Sequence, residues 1–108
     1  MQDITDSPDG KYRIEWAVNT GRMSHEIWSP KVTEIESGET LVDLWSGDLD
    51  GSVQWGDNGT FEFSMRSYIR DGHAKLWVDA ANRMFRLNGG SLEPLSKLTP
   101  ARVRGALR

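Results

Sequence analysis

The chain has 108 residues, no cysteine, 37% apolar and 27% charged residues and a formal charge of −3, so it can build one core, has no disulfide or thiolate chemistry, and is stabilised by packing alone. Its longest apolar runs, Trp16-Ala17-Val18 and Leu76-Trp77-Val78, fall far short of the roughly 20 residues of a bilayer span, which excludes a membrane-crossing helix and makes a soluble, cytoplasmic protein the expectation, with the periplasm or exterior as alternatives if a leader has been processed. All 16 acids and 9 of the 13 Lys and Arg lie in residues 1–93, a net of −7, which argues against nucleic acid as a partner, since that affinity comes from cations neutralising phosphates.

Period-two alternation dominates the pattern. In residues 11–18, Tyr12, Ile14, Trp16 and Val18 face one way and Lys11, Arg13 and Glu15 the other, as a half-buried strand requires. His25 and Glu26 follow; neighbours in a strand point to opposite faces, so they cannot share a metal ion, and His25 reads as structural. Pro30 cannot donate to a ladder and apolar parity changes around it, which predicts a bulge or a break there. A hairpin turns at Glu36-Ser37-Gly38; a three-residue loop puts Lys31 opposite Asp43 and Val32 opposite Val42.

Strands are also expected at 40–46, 52–56 and 84–88, with Gly47-Asp48-Leu49-Asp50-Gly51 as an acidic turn between the first two. The same turn invites a calcium reading, but its Gly comes too early and position 59 is Gly where a bidentate acid would close the loop, so no metal is assigned. Residues 61–69 alternate again, and Asp71-Gly72 predicts a two-residue hairpin to strand 74–79. That register places Ile69 opposite Ala74, Ser67 opposite Leu76 and Met65 opposite Val78, with Arg66 over Trp77 and Tyr68 beside Lys75 on the other face. His73 reads as solvated beside the turn.

After Asn88-Gly89-Gly90 the pattern changes. Thr99-Pro100 offers an N-cap and a Pro at the first helical position, predicting a helix over 100–107. Lys97, Arg102, Arg104 and Arg108 stand in an acid-free tail, where cations suit a helix C-terminus and can reach the acidic body. The expectation is an all-β fold, an antiparallel meander or sandwich of about seven short strands over residues 1–90, with a C-terminal segment 91–108 whose short helix packs on the sheet. Removing that segment is expected to cost about 2 to 4 kcal/mol.

Ser7-Pro8-Asp9-Gly10-Lys11 and Gly56-Asp57-Asn58-Gly59-Thr60 align with Gly10 and Gly59 in register 49 positions apart, each turn feeding an alternating strand. The first resembles the strand-opening turn of β-propeller blades of the prolyl-oligopeptidase type and their periplasmic relatives, and Glu36-Ser37-Gly38-Glu39 resembles the turn between the last two strands of such a blade. The resemblance spans about 80 residues and rests on turn chemistry. Two blades cannot close a propeller of four to eight. The likeness therefore implies either protomers assembled into a ring, or convergent hairpin signals in a single small stacked or closed sheet, and the second is preferred.

Five tryptophans mark the composition. Trp16 shares a face with Tyr12 and Ile14 and reads as core. Trp77 lies opposite Leu76 and Val78, and Trp28 adjoins inward-reading Ile27, so these two are exposed or covered by Leu92, Leu95, Leu98 and Val103 of the tail. Exposed tryptophans mark partner interfaces and sugar-stacking platforms. Trp28, Trp77 and Arg66 are therefore the candidate binding residues. Asn58-Gly59-Thr60 matches a glycosylation acceptor without other support, and no phosphate loop, dinucleotide fingerprint or Gly-x-Ser-x-Gly occurs. The reading is a non-catalytic binding or interaction module with a protein partner or a small ligand, no cofactor, and a possible homo-oligomeric state. Its rivals are a small hydrolase using a carboxylate pair and a carbohydrate-binding two-blade protomer assembling into a ring.

Overall fold

The computed structural model describes residues 2–20, 26–69 and 71–108. It is mostly β: four consecutive antiparallel strands, β1 (Gln2–Asp6), β2 (Tyr12–Thr20), β3 (Glu26–Glu34) and β4 (Thr40–Asp43), form one sheet in chain order. Five more, β5 (Leu49–Trp55), β6 (Thr60–Ser67), β7 (His73–Asp79), β8 (Met84–Leu87) and β9 (Glu93–Pro94), form a second sheet, also in chain order. A 3₁₀ turn (Leu95–Lys97) and the short helix α1 (Pro100–Arg104) complete the described chain. Thr99 caps α1 by accepting the Arg102 N–H on its side-chain oxygen, and Gly105 ends the helix three residues before the expected limit.

The alternation in β2 and β6 determines how the sheets meet. Tyr12, Ile14 and Trp16 correspond to Phe61, Phe63 and Met65 at the 49-residue offset, and all six are buried. The Tyr12 and Phe61 rings lie 6.5 Å apart and those of Trp16 and Phe63 6.0 Å apart, so corresponding faces of the two sheets pack together into one core. In a ring of blades one face of each sheet would meet the other face of its neighbour. Here the outward faces carry Arg13 and Glu15 on one sheet and Glu62, Ser64, Arg66 and Lys75 on the other, and a ring would have to be built on those charged surfaces.

The β3–β4 hairpin has the expected pairs, Lys31 with Asp43 and Val32 with Val42. Gly38 sits at φ +74°, the left-handed conformation that the loop needs and that glycine adopts without cost. Pro30 departs from expectation: the β2–β3 register runs unbroken past it, with Trp16 opposite Pro30. Its carbonyl accepts from Leu44 N–H at 2.9 Å, so the missing donor faces the β4 side just where β4 has ended, and the β2 ladder stays whole. The irregularity lies instead between Val32 and Thr33, where Leu41 is the extra residue on β4 and both Leu41 and Val42 become buried.

The β6–β7 register differs from the expected one by four residues. Met65 lies opposite Ala74, Arg66 opposite His73 and Trp77 opposite Glu62; the even shift keeps every side chain on its expected face. The expected pairs at Ser67, Tyr68 and Ile69 do not form, because β6 ends at Ser67, and residue 70 lies outside the described residues. Two interactions account for this. Asp48 draws the chain away, its carbonyl accepting Tyr68 N–H at 3.0 Å and its carboxylate the Ser67 hydroxyl at 2.7 Å. His73 exchanges both backbone hydrogen bonds with Arg108, at 2.9 and 3.0 Å, so the C-terminus continues the sheet beyond Asn88. Asn88 bridges the junction, donating to Ala106 O and accepting from Lys75 N–H.

Gly72 makes that closure possible. It sits at φ +118°, and a Cβ there would lie 2.8 to 3.0 Å from the Arg108 backbone. Gly72→Ala is expected to destabilise the domain by about 2 kcal/mol through this strain and to speed exchange of the His73 amide. A urea midpoint equal to the parent's would contradict the close approach.

The tail enters the core instead of lying over Trp28 and Trp77. Leu95, Leu98 and Val103 are buried with both sheets, while Leu92 remains 48% exposed. The expected strands 40–46 and 52–56 give way to β4 ending at Asp43 and β5 starting at Leu49. The supposed acidic turn is thus a strand start, with Leu49 fully buried and the Ser29 hydroxyl donating to Ser46 O and Leu49 O.

Candidate functional site

Asp48 and Asp50 hold protein groups, not a cation. Asp48 is 6% exposed and forms a two-bond ion pair with Arg104 at 2.6 and 2.9 Å. That guanidinium holds its carboxyl below the usual range, against an opposing effect of burial. Asp50 accepts the Trp28 N–H at 2.7 Å and pairs with Arg66 at 3.0 Å. Among the described residues no group of three or more metal-ligating side chains lies together. His25 lies outside the described residues, and His73 is exposed as expected.

The carboxyls of Asp6, Asp9, Glu34 and Asp48 are all held below their ordinary values, chiefly by hydrogen bonds from Arg13, Ser7, Ser37 and Arg104 respectively. A general acid for glycoside or peptide chemistry requires the opposite shift, so none of these four can serve as one at neutral pH.

The outer face of the second sheet is built in cross-strand rows. One row runs Gln54, Glu62, Trp77, Arg86 across β5 to β8; the next runs Ser52, Ser64, Lys75, and the next Asp50, Arg66, His73. Arg66 therefore lies two rows from Trp77 and not over it, paired with Asp50 and donating to the Tyr68 hydroxyl at 3.1 Å. Arg86 takes the expected place over the Trp77 ring, 5.0 Å from its centroid. Its Nε is buried without a hydrogen-bond partner.

The indole N–H groups divide the tryptophans. Trp16 donates to the Thr5 hydroxyl at 3.1 Å, Trp28 to Glu26 at 3.1 Å, and Trp45 to Glu15 O at 2.9 Å beneath the Lys31 ammonium. Trp28 also packs edge-on against Trp16, so this candidate is a half-buried extension of the core. Trp55 and Trp77 donate to no described residue. Both line one shallow cleft, with Gln54, Glu62 and Thr60, of about 260 Å³. The structure thus keeps Trp77 of the three candidates as a site residue and joins to it Trp55, Gln54, Glu62 and Arg86. The signal for Trp55 lay in its position, one strand crossing and a turn from Phe61, whose ring it meets edge-on at 5.3 Å.

No protein-family model, curated protein or solved structure matches the chain. The site is therefore read from its own chemistry.

Proposed function

We propose that the protein is a non-catalytic binding domain whose site is the cleft between Trp55 and Trp77, and that its ligand is a carbohydrate. The observation that carries this reading is the pair of half-buried indoles whose N–H groups have no protein acceptor among the described residues, on a face otherwise occupied by polar side chains. Buried or half-buried indole N–H groups ordinarily find a partner. A ligand rich in hydroxyl oxygens supplies acceptors for both, while Gln54 and Glu62 accept from its hydroxyls and the ring faces stack on its C–H surface. Sugar recognition combines these interactions: apolar stacking with a few directional polar groups.

A titration of the full chain, labelled with ¹⁵N, with cello-, xylo-, malto- and chitotetraose at millimolar concentration tests this. At least one of the four is expected to shift the indole resonances of Trp55 and Trp77 while leaving those of Trp16 and Trp45 in place. Absence of any indole shift with all four would overturn the carbohydrate reading.

A further inference from the structure

On the other side of Trp55 lies a second recess of about 200 Å³, between the β1–β2 turn, with Pro8, Asp9 and Tyr12, and the β5–β6 turn, with Asp57 and Asn58. No Lys or Arg lines it. Asp9 is fixed at the rim: its Oδ1 accepts from the Ser7 hydroxyl at 2.6 Å and from Lys11 N–H at 3.0 Å, leaving Oδ2 without a protein donor among the described residues. Asp57 engages Thr60 only through its backbone carbonyl, and its carboxylate forms no ion pair among the described residues. Two carboxylates thus face a small recess with no cation of the protein's own.

Tyr12 is the second, independent observation. It is 5% exposed, its ring is packed on Phe61, and its hydroxyl makes no hydrogen bond with any described residue. The hydroxyl sits over Gly59 in the wall of the recess, where a Cβ would lie 3.4 Å from it. A phenol buried this deeply ordinarily has a partner.

We infer that this recess binds the head group of a primary ammonium ion. Asp9 and Asp57 supply the compensating charge, the Tyr12 hydroxyl oxygen and the Asn58 side chain accept its N–H groups, and Trp55 provides a ring face. An ammonium carries three donors, which matches this set of oxygens. A quaternary ammonium needs open ring faces instead, and Tyr12 and Phe61, at 5% and 1% exposure, present little more than a hydroxyl and an edge. The inference does not rest on the carbohydrate reading of the neighbouring cleft, although an amino sugar would satisfy both.

The test uses the full chain titrated with n-butylammonium at constant ionic strength, followed through the Gly59 amide and the Trp55 indole. Saturable millimolar binding is expected, about five-fold weaker for butyltrimethylammonium, about five-fold weaker for Tyr12→Phe and about ten-fold weaker for the double variant Asp9→Asn/Asp57→Asn. Trp77→Ala is expected to leave it unchanged, which separates this site from the cleft. Putrescine and a glucosamine tetramer carry the same head group on an alkyl chain and on a sugar, and whichever binds more tightly than n-butylammonium names the source. Equal binding of the primary and quaternary ions, an unchanged affinity in both variants, or no saturable shift with n-butylammonium would each overturn the inference.

Discussion

Deleting residues 91–108 is expected to cost about 5 kcal/mol or more, because it uncovers Leu95, Leu98 and Val103, each worth roughly 1.5 to 3 kcal/mol when fully buried. The effect exceeds the sequence-based expectation, since the tail also carries the Arg104–Asp48 pair and the Arg108 hydrogen bonds that extend β7. A domain of this size has only about 5 to 15 kcal/mol in total, so the shortened chain should be largely unfolded. Equilibrium urea unfolding read by far-UV circular dichroism measures this. A truncated chain with the parental midpoint and slope would mean that these three side chains are not core.

Arg104→Ala is expected to cost about 3 kcal/mol at neutral pH, the scale for leaving a buried carboxylate without its cation. Asp48 would keep the Ser67 hydroxyl at 2.7 Å but lose both guanidinium bonds. The pH dependence follows from the direction of the Asp48 shift. Its folded pKa lies below the ordinary value of 3.8, so the folded state binds the proton less readily than the unfolded chain. The stabilisation is therefore complete above that ordinary value and is lost as pH falls through the lower folded value. Parent and variant should differ most near neutrality and converge in acid. A difference that stayed constant below pH 4 would contradict the pairing.

Much of this fold was legible because strand alternation and turn residues are local signals. Tyr12, Ile14 and Trp16 declared a buried face, and Glu36-Ser37-Gly38 fixed a loop whose register could be checked against side-chain pairing. What escaped was decided by distant residues. The Asp71-Gly72 hairpin slid by four because Arg108 and Asp48, far apart in sequence, compete for its ends. β1 escaped because it is an edge strand whose one large apolar residue, Ile4, is 56% exposed and gives no inward pattern. β9 is two residues long, held to β8 through Glu93 and Pro94. Arg66 was misplaced with the hairpin, since its partner depended on that register. Trp55 was overlooked for a different reason: its importance lies in an indole N–H that finds no acceptor among the described residues, a property of the folded surroundings that composition does not carry.

The expected binding energetics separate the tryptophans in the same way. With whichever oligosaccharide shifts the Trp55 and Trp77 indoles, isothermal titration of the parent, Trp77→Ala and Trp28→Ala tests the assignment of the cleft most directly. Trp77→Ala, which alters only the outer face, is predicted to weaken binding about ten-fold or more, the scale expected when a stacked aromatic ring is removed from a binding surface. Trp28→Ala, whose indole already donates to Glu26, is predicted to lower the urea midpoint while leaving affinity within about two-fold. Unchanged affinity in Trp77→Ala, or an equal weakening in both variants, would contradict the cleft as the binding site.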